Sequence, residues 1–256
     1  MTLDKSHAAL VAARFGPRAW AYVASAVHAR GADLDHITGI VRRHPAARVL
    51  DLGCGGGHVT FHVAPHVRQV IAYDLSTEML DAVTRVCHER ALVNVTARQG
   101  SVEQLPFDDA SFDFVISRYS AHHWHDFRGA LRQARRILKP GGLAIFVDVV
   151  SPGGACALLD TYLQTVELLR DPSHVRDYST GEWRRSLTDA GFAPSVVTKA
   201  RLRIEFFSWV ERIETPDIHI QAIRSLQANM AADVIDYFAI EPDGSFSVDT
   251  MMLEAS

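Results

Sequence analysis

VLDLGCGGGHV, residues 49–59, decides the fold. It begins as a short apolar run and breaks into glycines, the pattern of a buried strand entering a tight loop. Glycine suits such a loop because it lacks a Cβ. It tolerates positive φ and lets a ligand approach the backbone. The helix expected next, HVTFHVA (58–64), offers unpaired N–H groups to whatever sits at the loop. A second buried strand, RQVIAYD (68–74), ends on Asp74, about 20 residues beyond the first glycine. An acidic side chain there can accept both hydroxyls of a ribose. Strand, glycine loop, helix, strand and Asp74 together indicate a nucleoside-containing cofactor.

The same rhythm continues outward. Ser76 caps a helix over 77–90, with Glu78 in its first turn, where negative charge is favoured. Strands are expected at 94–100, 112–118 and 143–150. A helix over 126–138 and the turn Lys139-Pro140-Gly141-Gly142 precede the last of these. Such alternation predicts a parallel sheet with helices on both faces. Beyond Val150 the spacing predicts helices over 155–170 and 181–190, the second capped by Ser179 or Thr180. It then predicts a strand over 195–207, mostly helix over 208–239 and a last strand over 245–253. The total is a seven-stranded, mostly parallel sheet. At the front, Pro17 and Gly31 bound a helix over 17–30, and Asp33 caps another that stops before Pro45. These flanking helices are placed to cover the carboxyl ends of the strands, where ligands bind in open α/β sheets.

Composition narrows the function. The chain has 256 residues, enough for its own core, with 48% apolar and 22% charged residues, which is ordinary globular usage. Its net charge of −4 disfavours general nucleic-acid binding, which draws on a basic excess. Cys54, Cys87 and Cys156 are an odd, scattered set without a C-x-x-C pair, against a disulfide framework or zinc ribbon and in keeping with a reducing cytoplasm. No apolar segment is long enough to span a bilayer, and the run 143–150 is interrupted by Asp148.

The loop reads D-x-G-x-G-x-G through Asp51, Gly53, Gly55 and Gly57. It resembles motif I of the class I S-adenosylmethionine methyltransferases. A carboxylate beside the loop suits a cofactor that carries an ammonium and a sulfonium and no pyrophosphate. YDLSTEML (73–80), QGSVEQLPF (99–107), FDFVISRYSAHHW (112–124) and LKPGG (138–142) resemble the later motifs of the UbiE-like small-molecule group. Residues 15–34 and 163–183 resemble more narrowly the bacterial YafE-like methyltransferases. The resemblance implies a Rossmann-like fold with a helical cap, in one methyltransferase domain over 1–256. Its parts are an N-terminal helical cover (1–44), a cofactor-binding core (45–150) and a C-terminal part (151–256) with inserted helices at 208–240. It implies S-adenosyl-L-methionine as cofactor and a small-molecule acceptor, without membrane or nucleic-acid partners.

Residue by residue, the family implies that the Asp51–Gly55 segment, with Gly53, Cys54 and Gly55, cradles the methionine moiety. Asp74 takes the ribose, and Leu75 and Met79 pack on the adenine. The 100–103 loop, with Ser101 and Val102, holds the adenine edge, and the backbone at Arg118 meets the ammonium. The family often has an aspartate where Ser101 stands, so either weaker adenine anchoring or help from Glu103 is expected. The Arg118 side chain should turn away from the sulfonium to a carboxylate.

The loop RYSAHHWH (118–125) supplies His122 and His123 as candidate bases or donors, since histidine titrates near neutrality; His123 is preferred by family position. Tyr22, His28 and Tyr119 are candidate acceptor contacts. His58, His62 and His66 recur on one helix face, but without a local Cys, Asp or Glu they read as packing rather than metal ligands. Arg128, Arg132, Arg135, Arg136 and Lys139 form a basic stripe that reads as a solvated helix face. There is no Gly-x-Ser-x-Gly elbow and no P-loop. Two competing functions remain. An NAD-dependent oxidoreductase would need glycine where His58 stands. A non-catalytic SAM- or RNA-binding module would need no sealed pocket.

Overall fold

The computed structural model describes residues 6–25 and 29–256. Among them, seven strands form one sheet in the order β3-β2-β1-β4-β5-β7-β6. They are β1 (Arg48–Leu52), β2 (Gln69–Asp74), β3 (Val95–Gln99), β4 (Phe112–Arg118), β5 (Leu138–Val150), β6 (Pro194–Ile204) and β7 (Phe246–Ala255). The pairings β1–β2, β2–β3, β1–β4 and β4–β5 are parallel. Only β7 reverses, pairing antiparallel with both β5 and β6. The mostly parallel α/β architecture expected from the strand–helix rhythm is the one observed.

Both faces of the sheet are covered, so its central strands read as continuous apolar runs rather than alternating ones. Successive side chains nevertheless part to opposite faces. Leu50, Leu52 and Tyr73 join Phe112, Phe146 and Trp183 on one side. Val49, Val70, Ile116 and Ile145 meet Leu34 and Ile37 on the other. A third cluster, around Tyr162, Trp209, Phe238 and Phe246, packs the cap. The cap helices span Ala157–Arg170, Phe206–Glu211, Asp217–Asn229 and Ala232–Phe238.

Several local expectations are corrected. The helix expected over 17–30 is a 3-10 turn, Gly16–Arg18, followed by a helix over Ala19–Val23. Near its end the Tyr22 carbonyl accepts both from Ser25 N at 3.2 Å and from His58 Nε2 at 2.9 Å. Residues 26–28, and with them the candidate His28, lie outside the described residues. A further helix, His7–Phe15, capped by the Ser6 hydroxyl, was not expected. Asp33 does not cap its helix. Gly31 does, and Asp33 lies in the first turn with its carboxylate on Arg118. Lys139–Gly142 is not a separate turn but a bulge within β5, with Gly141 at φ +76 and a register shift against β4. The region 208–239 is mostly helical as expected, in three helices. The strand expected to run to 207, however, ends at Ile204, where Glu205 caps the first helix by accepting from Ser208 N at 2.7 Å.

Ser76 behaves as its sequence context dictates. Its Oγ accepts from Met79 N at 3.2 Å, and the residue is buried. Replacing Ser76 with alanine orphans that N–H and is expected to cost about 1 kcal/mol in urea unfolding.

Candidate active site

The glycine loop leaves β1 at the carboxyl edge of the sheet. Gly53 N and Cys54 N both donate to the Tyr73 carbonyl, at 2.8 and 3.0 Å, tying the loop to the end of β2. Gly53 sits at φ +72, and a Cβ there would fall 1.9 Å from Ser120 Oγ. Glycine is therefore required at this position on two counts. Asp74 stabilises the same turn: its Oδ2 accepts from Gly55 N at 2.8 Å and its Oδ1 from Ser76 N at 3.0 Å. Burial pushes its carboxyl above the ordinary range. Asp51 is fully buried and accepts from Thr60 N and Oγ1 at 2.9 and 2.7 Å. Burial carries its carboxyl up to about 7 despite those bonds. Burial also pushes the Cys54 thiol well up, which makes it an inert wall.

A cavity of about 590 Å³ opens over this loop, of a size suited to a small-molecule ligand. Gly53, Cys54, Gly55, Asp74, Leu75 and Met79 line one half of it. Asp51, Val102 and Glu103 also reach it. Ser101 stands behind, its hydroxyl donating to Glu103. Glu103 in turn accepts from His125 N at 3.1 Å and Asp126 N at 3.3 Å. The Arg118 guanidinium pairs with Asp33 and lies 4.7 Å over the Tyr119 ring. Tyr119 holds φ +52, and burial lifts its hydroxyl to about 12.

The other half is built from the cover and the cap. Phe15 and Tyr22 enter from the N-terminal helices, Val149 from β5 and Leu202 from β6, with Trp209 from the cap. Between the halves lie two adjacent histidines, ring centroids 4.3 Å apart. His122 Nδ1 meets Asp148 Oδ1 at 2.7 Å. Burial alone would lower its pKa. The Asp148 carboxylate, helped by Asp177 and Glu167, instead raises it to about 9. His123 goes the other way: burial and the neighbouring His122 charge push it down to about 3. Its Nδ1 donates to the Ser173 carbonyl at 3.1 Å, which leaves the lone pair on Nε2.

Behind the histidines is a group of ionisable side chains that single-residue reasoning missed: Asp148, Glu167, Arg170, Asp171, His174 and Asp177. One signal was in the sequence, namely Asp148 interrupting an otherwise apolar strand. A carboxylate buried there needs a partner. The other five sit on cap segments with no spacing motif. The remaining sequence features resolve into structure. His58 holds the Tyr22 carbonyl and His62 holds the His58 carbonyl. Among the described residues, no group of three or more His, Cys, Asp or Glu side chains is arranged to hold a metal. Arg135 and Arg136 of the basic stripe donate to Gly191, Phe107 and Leu105 carbonyls. No helix of the described residues is long and apolar enough to cross a membrane.

The methyltransferase domain family matches residues 50–146. The uncharacterized protein YafE of Escherichia coli is 49% identical over 203 residues, which cover 79% of this chain and 97% of that protein. The uncharacterized methyltransferase YcgJ of Bacillus subtilis is 36% identical over 202 residues, 79% of each chain. The crystal structure of YcgJ superposes with a TM-score of 0.80, covering 86% of this chain and 97% of that one.

Proposed function

Because the chain belongs to the class I S-adenosylmethionine-dependent methyltransferases, with YafE and YcgJ as relatives, we propose that its acceptor is a small molecule taken into the cap half of the cavity. The observation that carries this reading is the cavity itself. It runs continuously from the glycine loop to the cap side chains Leu202 and Trp209. Its about 590 Å³ suits a cofactor lying beside a compact acceptor rather than a nucleic-acid strand. Cover, core and cap act as one domain around it, in the cytoplasm.

The residues present fit the cofactor. In this reading Asp51 and the Gly53–Gly55 backbone cradle its methionine part, Asp74 accepts from the ribose, and Leu75 and Met79 hold the adenine. Val102 and the Ser101–Glu103 pair close the adenine edge, and the backbone at Arg118 receives the ammonium. When bound, S-adenosylmethionine supplies a methyl group on a positively charged sulfur. The protein's own task is to position the acceptor and exclude water. Tyr22 and Tyr119 orient the acceptor, a contribution on the order of several kcal/mol when geometry is held. His122, raised to about 9 by Asp148, holds a proton at neutral pH and can donate it in a hydrogen bond to the acceptor. His123, pushed down to about 3, is a weak base whose Nε2 serves the acceptor's N–H or O–H as a hydrogen-bond acceptor.

The test is calorimetric titration of cofactor-stripped protein with S-adenosylhomocysteine and, separately, NAD⁺. Micromolar binding of the first and none of the second is expected. A thermal-shift companion should show about 2.7 kcal/mol of stabilisation at 100 times the dissociation constant. Binding of NAD⁺ alone would overturn the reading in favour of an oxidoreductase.

A further inference from the structure

Asp177 lines the acceptor half of the cavity, yet its carboxylate has an unmet need. The residue is 2% exposed, and its Oδ2 has no hydrogen-bond partner among the described residues. An orphaned buried carboxyl oxygen costs about 1–3 kcal/mol, so such groups call for an explanation. The backbone around it is held firmly: Asp177 N donates to Gln164 Oε1 at 3.0 Å, and Gln164 Nε2 donates to the Asp177 carbonyl at 2.9 Å. The ring nearest its Oδ2 is His174, whose Nε2 lies 3.8 Å away and is already engaged by Gln164 Oε1 at 3.1 Å. Burial keeps His174 neutral, down at about 2, so no ion pair forms.

Glu167 lies on the same wall. Among the described residues its ion contact is Arg170 Nη1 at 3.9 Å, and that guanidinium already donates through Nε to the Trp209 carbonyl. Burial raises both carboxyls, Asp177 well above the ordinary range, and the Glu167 carboxyl raises Asp177 further. Apolar Phe15, Val149, Leu202 and Trp209 share this cavity wall with polar and charged groups, among them His122, Arg170, Glu205 and Arg212. A fixed backbone, an acceptor atom with no hydrogen-bond partner among the described residues and neighbouring apolar surface make a recognition point for a polar group on a largely apolar ligand.

We propose that Asp177, flanked by Glu167, receives an N–H or O–H donor of the methyl acceptor, so that the acceptor is an apolar molecule bearing an amine or a hydroxyl. This rests on the reading that the acceptor enters the cap half of the cavity. An amine and an alcohol differ in consequence. Burial pushes the Asp177 carboxyl well up, and an ammonium beside it favours its charged form. An amine therefore binds with proton release to the extent that Asp177 is protonated beforehand, whereas a hydroxyl has no such effect.

The test uses protein saturated with S-adenosylhomocysteine and three probes sharing a phenyl body: phenethylamine, 2-phenylethanol and phenylacetate. Calorimetry in phosphate and in Tris separates proton release from binding heat. At least one of the two donor probes is expected to bind, and phenylacetate at least about tenfold more weakly. Asp177→Leu and Asp177→Asn should each weaken the donor probe about tenfold or more while leaving S-adenosylhomocysteine affinity within about twofold. The leucine variant should fold at least as well as the parent, because an orphan buried carboxyl is replaced by an apolar group of similar size. Equal or tighter binding of phenylacetate overturns the proposal. So does silence of both donor probes up to about 10 mM, or unchanged probe affinity in both variants. Loss of S-adenosylhomocysteine binding in the unmodified protein would instead sink the functional reading on which the proposal stands.

Discussion

Gly53→Val is expected to weaken S-adenosylhomocysteine binding by at least about 100-fold, or about 2.7 kcal/mol. Two independent effects add. A side chain at φ +72 carries left-handed backbone strain of roughly 1–2 kcal/mol. Its first carbon would also collide with Ser120 Oγ, whose serine accepts from Trp124 Nε1 at 3.1 Å and so is not free to swing away. The loop must move, and with it the paired N–H bonds from Gly53 and Cys54 to the Tyr73 carbonyl. Gly55→Ala is the comparison. Gly55 also has positive φ, but a Cβ there meets nothing within 4 Å, so only the strain applies. It should lose about tenfold or less. The two dissociation constants, measured side by side, check this. Binding of Gly53→Val within tenfold of the parent would mean that the loop backbone is not the cradle.

Asp148→Asn is expected to remove about 3 kcal/mol of stability at pH 6 and progressively less as the pH approaches 9. His122, 2.7 Å from the Asp148 carboxylate, is raised from an ordinary 6.5 to about 9. The folded state therefore binds a proton that the unfolded state releases above 6.5. That contribution is whole below pH 6.5 and is lost as the pH rises through 9. A shift of this size corresponds to about 3 kcal/mol. The variant keeps an oxygen to accept from Ala121 N, now at 3.0 Å from Asp148 Oδ2, so the loop's backbone bond survives. His123, His174, Asp177 and Glu167 also titrate in this neighbourhood. The parent-minus-variant difference therefore reports the His122–Asp148 pair together with its coupling to them. Urea unfolding of both proteins at pH 6, 7.5 and 9.5 checks it. A pH-independent difference would place the proton elsewhere.

What could be read from the sequence was what depends on local chemistry. Residues 49–74 dictate their own shape. The glycines need positive φ, the apolar runs need burial on both faces, and Asp74 closes the loop by accepting from Gly55 N. Ser76 and Ser179 cap helices because their hydroxyls can reach N–H groups three residues on. What escaped reading depends on distant partners. Asp33 reads as a cap from its neighbours, but Arg118, 85 residues later, claims its carboxylate. The Tyr22 carbonyl, near the end of the helix at 19–23, gains a second donor from His58, 36 residues on. Asp171, His174 and Asp177 follow one another on a cap segment with no periodic signature. Only the fold brings them against His122 and His123.

The placement of β7 has a consequence in time. The ribosome delivers β5 about a hundred residues before its neighbour in the sheet. Until then the β5 edge stands open along Ala144–Val150, the stretch later paired with Asp249–Ala255. Residues 194–204 of β6 wait as well, because among the described residues their partner in the sheet is that same late strand. An unpaired apolar edge recruits other chains, and long-range pairing forms slowly. Nascent chains stalled before residue 246 are the species expected to aggregate or to occupy a chaperone. Full-length protein released as a unit is not, which makes synthesis, rather than the finished fold, the vulnerable stage of this molecule's life.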